Sequence, residues 1–257
     1  MASGKFTVLM TACIAPESGI GDKPGNRVQR ADPALRLKDY AEALDFWLAH
    51  PDPRIDAIVF ADNSLYDLSE LEARARASGS VRKVEFLSLP LCHWPKDVHY
   101  GYCELQIIDQ AVAQSTVLAE AGAFIKATGR LRFSGLSRLL DRLKDDFLFA
   151  IDSRRKPFGG RGSTTTQLML FNTEFYRAHL VGANAKLKPW VVSHIEDLIY
   201  QELAPLEGKN GAMLRWPVNV DCIGVSATNN TSYTDMRTRA RQTIRAILRV
   251  IAPGLWI

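Results

Sequence analysis

The sequence predicts an α/β fold: a mostly parallel central sheet in a single domain, with helices on both faces. Three observations predict it. Short, uninterrupted apolar runs occur at residues 6–14, 55–60 and 123–125, as expected of strands buried on both faces. Segments with apolar residues at helical spacing separate them. Gly, Pro and Asp clusters punctuate the boundaries, giving the β-α alternation of a wound parallel sheet.

The first strand, 6–14, runs into ESGIGDKPGNRVQR (17–30), a Gly-, Pro- and charge-rich stretch that reads as a loop able to close over a ligand. Asp32 and Pro33 then form a capping residue and a first-turn proline, opening a helix that buries Leu37, Tyr40, Ala41, Leu44 and Leu48. A second strand, 55–60, delivers Ala61, Asp62, Asn63 and Ser64 at its carboxyl end, where Asp and Asn either meet a base or ribose or cap the helix at 68–77. A third strand spans 84–87. The irregular segment after it carries His93 and His99, which lack a third ligand nearby in sequence and so give only a weak metal reading.

One long helix from Gly101, marked by Leu105, Ile108, Val112 and Ala119, feeds the fourth strand at 123–125. Lys126, Thr128, Gly129 and Arg130 follow at that strand's end. Two cations, a hydroxyl and a glycine suit a phosphate or diphosphate there, because strand carboxyl ends line the ligand crevice of open α/β sheets. A turn with solvated charges is the plainer alternative.

In the second half, a helix is expected at 136–143 and a strand at 147–151, ending in Asp152 beside Arg154, Arg155 and Lys156. Residues 158–166 (FGGRGSTTT) read as a second closing loop, and 174–179 as a helical turn. A helix at 190–203 places Val191, Val192, Ile195, Leu198 and Ile199 on one side and Ser193, His194, Asp197, Tyr200 and Gln201 on the other. A strand at 218–223 and a polar loop at 227–232 lead to a closing helix at 233–251. Arg237, Arg241, Arg245 and Arg249 form one stripe of it, and Met236, Ile244, Ile247, Leu248 and Ile251 another. Such a helix either docks with its basic side in solvent or lies on an anionic membrane.

Composition narrows the classes. The chain's 257 residues, 47% hydrophobic and 23% charged, suffice for one large globular domain, 1–257. Within it, 1–130 and 131–232 read as two halves, and 233–257 as the basic helix. A net charge of +4 is too small to indicate nucleic acid, and no basic tail adds to it. Cys13, Cys92, Cys103 and Cys222 form no CxxC pair, so reduced thiols in a cytoplasmic protein are expected. No signal peptide or membrane span is expected either. GxGxxG after the first strand and GxxxxGK[ST] anywhere are both missing, disfavouring dinucleotide oxidoreductases and P-loop enzymes.

With these pieces in place, residues 6–233 resemble GT-A glycosyltransferases, most of all bacterial enzymes that build O-antigen or capsular polysaccharide. The most specific parts are Arg36-Leu37 after the first strand, Phe60-Ala61-Asp62-Asn63-Ser64, Gly101-Tyr102-x-Glu104, Phe124-Ile125-Lys126-x-Thr128-Gly129-Arg130 and His194-Ile195-Glu196-Asp197. The resemblance implies a nucleotide-sugar donor near Thr11, Ala12, Arg36, Asp62, Asn63, Gly101, Glu104, Lys126, Thr128, Gly129 and Arg130. It implies Asp197, with Glu196 beside it, as the base acting on a glycan or lipid-linked glycan acceptor, with inversion. The Asp-x-Asp metal motif of such enzymes is replaced here by Lys126-Ala127-Thr128. No cofactor is therefore firmly implied: Lys126 and Arg130 would neutralise the diphosphate, and Mn2+ or Mg2+ would enter only through Asp152. Two other readings stand beside this one. A sugar-phosphate nucleotidyltransferase would share the sheet, although residues 14–19 match its Gly-rich loop poorly. A non-catalytic membrane-surface protein would use the arginine helix.

Overall fold

The computed structural model describes residues 4–16, 28–93, 95, 97–155, 162–189, 191–192, 194–228, 230–252 and 255–256. The loop expected at 17–30 lies almost wholly outside these residues, as does the first part of that expected at 158–166. Strands β1 (Phe6–Ala12), β2 (Ile55–Asp62), β3 (Lys83–Ser88) and β4 (Ala123–Thr128) pair in parallel in the order β3-β2-β1-β4. The sheet continues through β7 (Ser163–Asn172), antiparallel to β4, to β6 (Phe149–Arg154) and β8 (Ala212–Met213). Two short strands, β5 (Arg132–Ser134) and β9 (Asp221–Ile223), form a separate antiparallel pair. Residues 163–166 thus belong to a strand where a loop was expected.

Strand alternation builds two cores. Val8, Met10, Ile58, Phe60, Ile125 and Ala127 face α1 (Pro33–Leu48) and α2 (Ser69–Ala77). Leu9, Val59, Ala61 and Phe124 face α3 (Gly101–Gln114), α4 (Thr116–Glu120), α6 (Thr173–His179) and α7 (Ile195–Leu203). Asp32 caps α1 as expected, accepting from the backbone N–H of Ala34 and Leu35. Between β5 and β6 lies the short α5 (Leu136–Leu140).

Three helices differ from expectation. The one expected to continue past Gly101 is two, because Ser115 leaves helical geometry (ψ 125°) and its hydroxyl accepts from Leu118 N–H. Glu85 on β3 holds that break, accepting from the Ser115 and Thr116 hydroxyls. Tertiary hydrogen bonds override the local helical pattern there. The helix expected from residue 190 begins only at Ile195, because Val192 pairs with Lys188 in an extended bridge.

The third is α8 (Met236–Ile251), whose docking reverses the expected sides. The Arg249 and Asp152 side chains are 9% and 8% exposed and meet at 2.6 Å, and Arg249 also donates to the Trp216 carbonyl. Ile244, Ile247 and Ile251 are instead 57%, 53% and 70% exposed. Asp152 is therefore a helix anchor. Removing one member of a buried pair strands the other charge. Arg249→Met is expected to weaken α8 docking by roughly 3 kcal/mol. Hydrogen exchange should show residues 236–251 opening faster while the parallel strands keep their protection.

Candidate active site

The chain leaves β1 for β2 and β3, then returns to place β4 on the other side of β1. Carboxyl ends at such a reversal frame a crevice. A cleft of about 260 Å³ opens there, lined from β1 by Thr11, Ala12 and Cys13, from β2 by Asn63, and from β4 by Thr128 and Arg130. Its far wall is the start of α3 (Gly101, Cys103, Glu104) and of α7 (Ile195, Glu196).

At the floor lies a buried charge. Alternation along β4 turns Lys126 to the same face as Phe124, toward α3, and the residue is fully buried. Its ammonium donates to Glu104 Oε1, to the Thr166 carbonyl at 2.6 Å and to Thr128 Oγ1 at 3.3 Å, so its three protons are committed. Thr128 Oγ1 also donates to Glu104 Oε1 at 3.2 Å, and Thr11 Oγ1 lies 3.4 Å from the same oxygen. Lys126 was expected to face a diphosphate. It instead fixes Glu104, and Glu104 faces the cleft.

Glu196 sits in the first turn of α7, with Oε1 3.4 Å from the Thr166 hydroxyl and Oε2 buried without a partner. Burial raises its pKa, and the negative charge of Glu104 adds to the rise, against a backbone N–H, His194 and Lys126. Asp197 does not line the cleft. One residue along a helix turns a side chain by about 100°, so only one of the two adjacent carboxylates faces inward. Here that one is Glu196.

The other expected donor residues divide into lining and scaffold. Asn63 is 6% exposed, lines the cleft and leaves its buried Oδ1 without a partner. Arg36 lines the cleft while donating to the carbonyls of Cys13 (2.7 Å) and Arg30 (3.0 Å) and to Tyr40 Oη (3.2 Å). Arg130 donates to the Val225 carbonyl. Asp62 is fully buried and away from the lining; its carboxylate accepts from Ile14 N–H and from Ser64 N–H and hydroxyl, shaping the turns after β1 and β2. Gly129 is also scaffold, since a Cβ there would stand 2.8 Å from the Thr11 carbonyl. Gly101 lines the cleft, and a Cβ on it would strike Ile195 at 2.6 Å, so it lets α3 approach α7.

Features unseen in the sequence complete the rim. Tyr100 Oη meets Thr228 Oγ1 at 2.6 Å across the mouth. His99 accepts from Gly101 N–H on Nδ1, and burial together with His194 pushes its pKa down to about 4, keeping it neutral near pH 7. Cys92 and Cys103 form a disulfide, S–S 2.08 Å, correcting the expectation of four thiols. Chain reversal before α3 brings the two together, which their spacing did not signal.

No protein-family model matches the sequence, and no curated protein is similar to it. Solved structures are. The galactosyltransferase LgtC, crystallised with donor and acceptor sugar analogues, overlays with a TM-score of 0.50 at 12% identity, covering 76% of this chain and 69% of that one. The fold is GT-A-like. GlyE, a glycosyltransferase of Streptococcus pneumoniae TIGR4, overlays at 0.46 with 13% identity over 80% and 44% of the two chains. A 4-diphosphocytidyl-2C-methyl-D-erythritol synthase overlays at 0.43 with 12% identity over 96% and 99%. These last two are too loose to carry an argument, and similarity of this kind speaks to fold alone.

A GT-A domain's metal motif would fall at the end of β4. The groups there are a buried ammonium and a hydroxyl, and Asp152 is engaged by Arg249, so this donor set does not fit a divalent cation. Among the described residues no cluster of three or more His, Cys, Asp or Glu is placed to hold one. Because Lys126 is wholly buried against Glu104, Lys126→Met is expected to cost about 3–5 kcal/mol in urea unfolding. Adding Glu104→Gln should restore part of that loss, as a double-mutant cycle would show.

Proposed function

We propose that this chain is a glycosyltransferase that moves a sugar from a nucleotide donor to a glycan or lipid-linked glycan in bacterial surface polysaccharide synthesis, O-antigen or capsule. The observation that carries this reading is a buried carboxylate with a raised pKa, Glu196, whose Oε2 has no partner, inside a cleft at the strand reversal of a GT-A-like sheet. Such a group is a general base awaiting a hydroxyl. Residues 1–130 would hold the nucleotide and 131–232 the acceptor side.

Glu196 takes the proton of an acceptor hydroxyl as that oxygen attacks the anomeric carbon. The bond from that carbon to the diphosphate breaks, and the nucleoside diphosphate leaves with the electron pair. Arg130 and Arg36 meet the departing charge. A single displacement inverts the anomeric centre. The exposed isoleucines of α8 support contact with the cytoplasmic face of a membrane that carries the acceptor. None of the described helices is long and apolar enough to cross it.

Glu196→Gln is expected to reduce kcat by 10²- to 10⁴-fold while donor affinity stays within a few fold. Asp197→Asn should remain within a few fold of the native rate. Since the base works ionised and its pKa is raised, kcat/KM should fall on the acid side at a pH above the usual glutamate value. Release of pyrophosphate in place of nucleoside diphosphate would favour a nucleotidyltransferase and contradict the proposal.

A further inference from the structure

We infer that the donor sugar is a neutral or amino sugar, not one carrying its own carboxylate, and that Glu104 selects it by accepting hydroxyl hydrogen bonds. This deepens the reading of the cleft as a nucleotide-sugar site.

The cleft's charges are layered. Thr11, Thr128 and Thr166 surround the glutamates, whereas Arg36 is held at the Cys13 and Arg30 carbonyls and Arg130 at the Val225 carbonyl. Glu196, as the proposed base, works beside the anomeric carbon, and the negative charge of Glu104 is near enough to raise its pKa. The arginine layer suits the diphosphate and the glutamate layer the sugar.

The sugar layer is negative. It holds two carboxylates, Glu104 and Glu196, against one ammonium, and Lys126 is fully buried with its protons already committed. No donor of Lys126 is left for a ligand carboxylate.

Each of its carboxylates keeps one oxygen that no described residue donates to. The Lys126, Thr11 and Thr128 contacts fall on Glu104 Oε1, and no described residue donates to Oε2. Glu196 Oε2 is buried without a donor. Sugar hydroxyls and ammonium groups donate; a uronate or sialate carboxylate only accepts and would face like charges at short range.

The test titrates the full-length protein with UDP, UDP-glucose and UDP-glucuronic acid, and with GDP, GDP-mannose and GDP-mannuronic acid, by calorimetry. In the series whose nucleoside diphosphate binds, the hexose conjugate should bind at least as tightly as the diphosphate, and the uronate roughly 100-fold more weakly than the hexose. Glu104→Gln should narrow that gap at least tenfold. Because this substitution also disturbs Lys126, the charge-balanced Glu104→Gln/Lys126→Met pair serves as the second variant. A uronate bound within threefold of its hexose, or a gap unchanged in folded variants, would overturn the inference and leave the nucleotide reading intact. Binding by none of the uridine, guanosine and cytidine diphosphates would bring down both.

Discussion

A lysine with no exposed surface can persist in a sheet only if its charge is met, and the rest of the cleft follows from how Lys126 is met. Glu104 supplies the countercharge from the first turn of α3, and the Thr166 carbonyl supplies a further acceptor from β7. This one ammonium therefore links α3, β4 and β7 beneath the ligand crevice. It also sets the electrostatics above it: one oxygen of Glu104 is occupied, the other is left to the cleft, and the negative charge of Glu104 helps to raise the pKa of Glu196. A cation that a metal would otherwise bring is built into the strand, although it serves the carboxylates and not a phosphate.

Two carboxylates in different surroundings acquire different chemistry. Glu104 is held by an ammonium and hydroxyls; Glu196 is desolvated and half-partnered, and its pKa is raised. Under the proposed function, that division would give one residue a binding role and the other a proton-transfer role. GT-A-like sheets carry more than one reaction, so the distinction has to come from such side chains.

The parallel sheet and the crevice were legible because their signals are local. Continuous apolar runs marked β1, β2 and β4, Asp32 and Pro33 marked the start of α1, and Thr128-Gly129-Arg130 directly followed a strand. What the sequence hid depends on distant partners. Asp152 looked like a ligand or a neighbour-paired acid, whereas its partner Arg249 lies 97 residues away. Asp197 and Glu196 could be separated only by knowing that the Lys188–Val192 bridge delays the start of α7. The helical period of α8 did not tell that Arg249 would face the domain and meet Asp152 while Ile244, Ile247 and Ile251 stay exposed.

The most direct test is a thermal-shift comparison of nucleoside diphosphates with and without manganese. A ligand that binds only the folded state stabilises it by about 2.7 kcal/mol at one hundred times its dissociation constant, so millimolar nucleotide would reveal even modest affinity. The account predicts that at least one of the uridine, guanosine and cytidine diphosphates raises Tm equally in EDTA and in manganese. No shift with any of them in folded protein, or a shift that requires manganese, would contradict a cleft whose diphosphate charge is met by arginine.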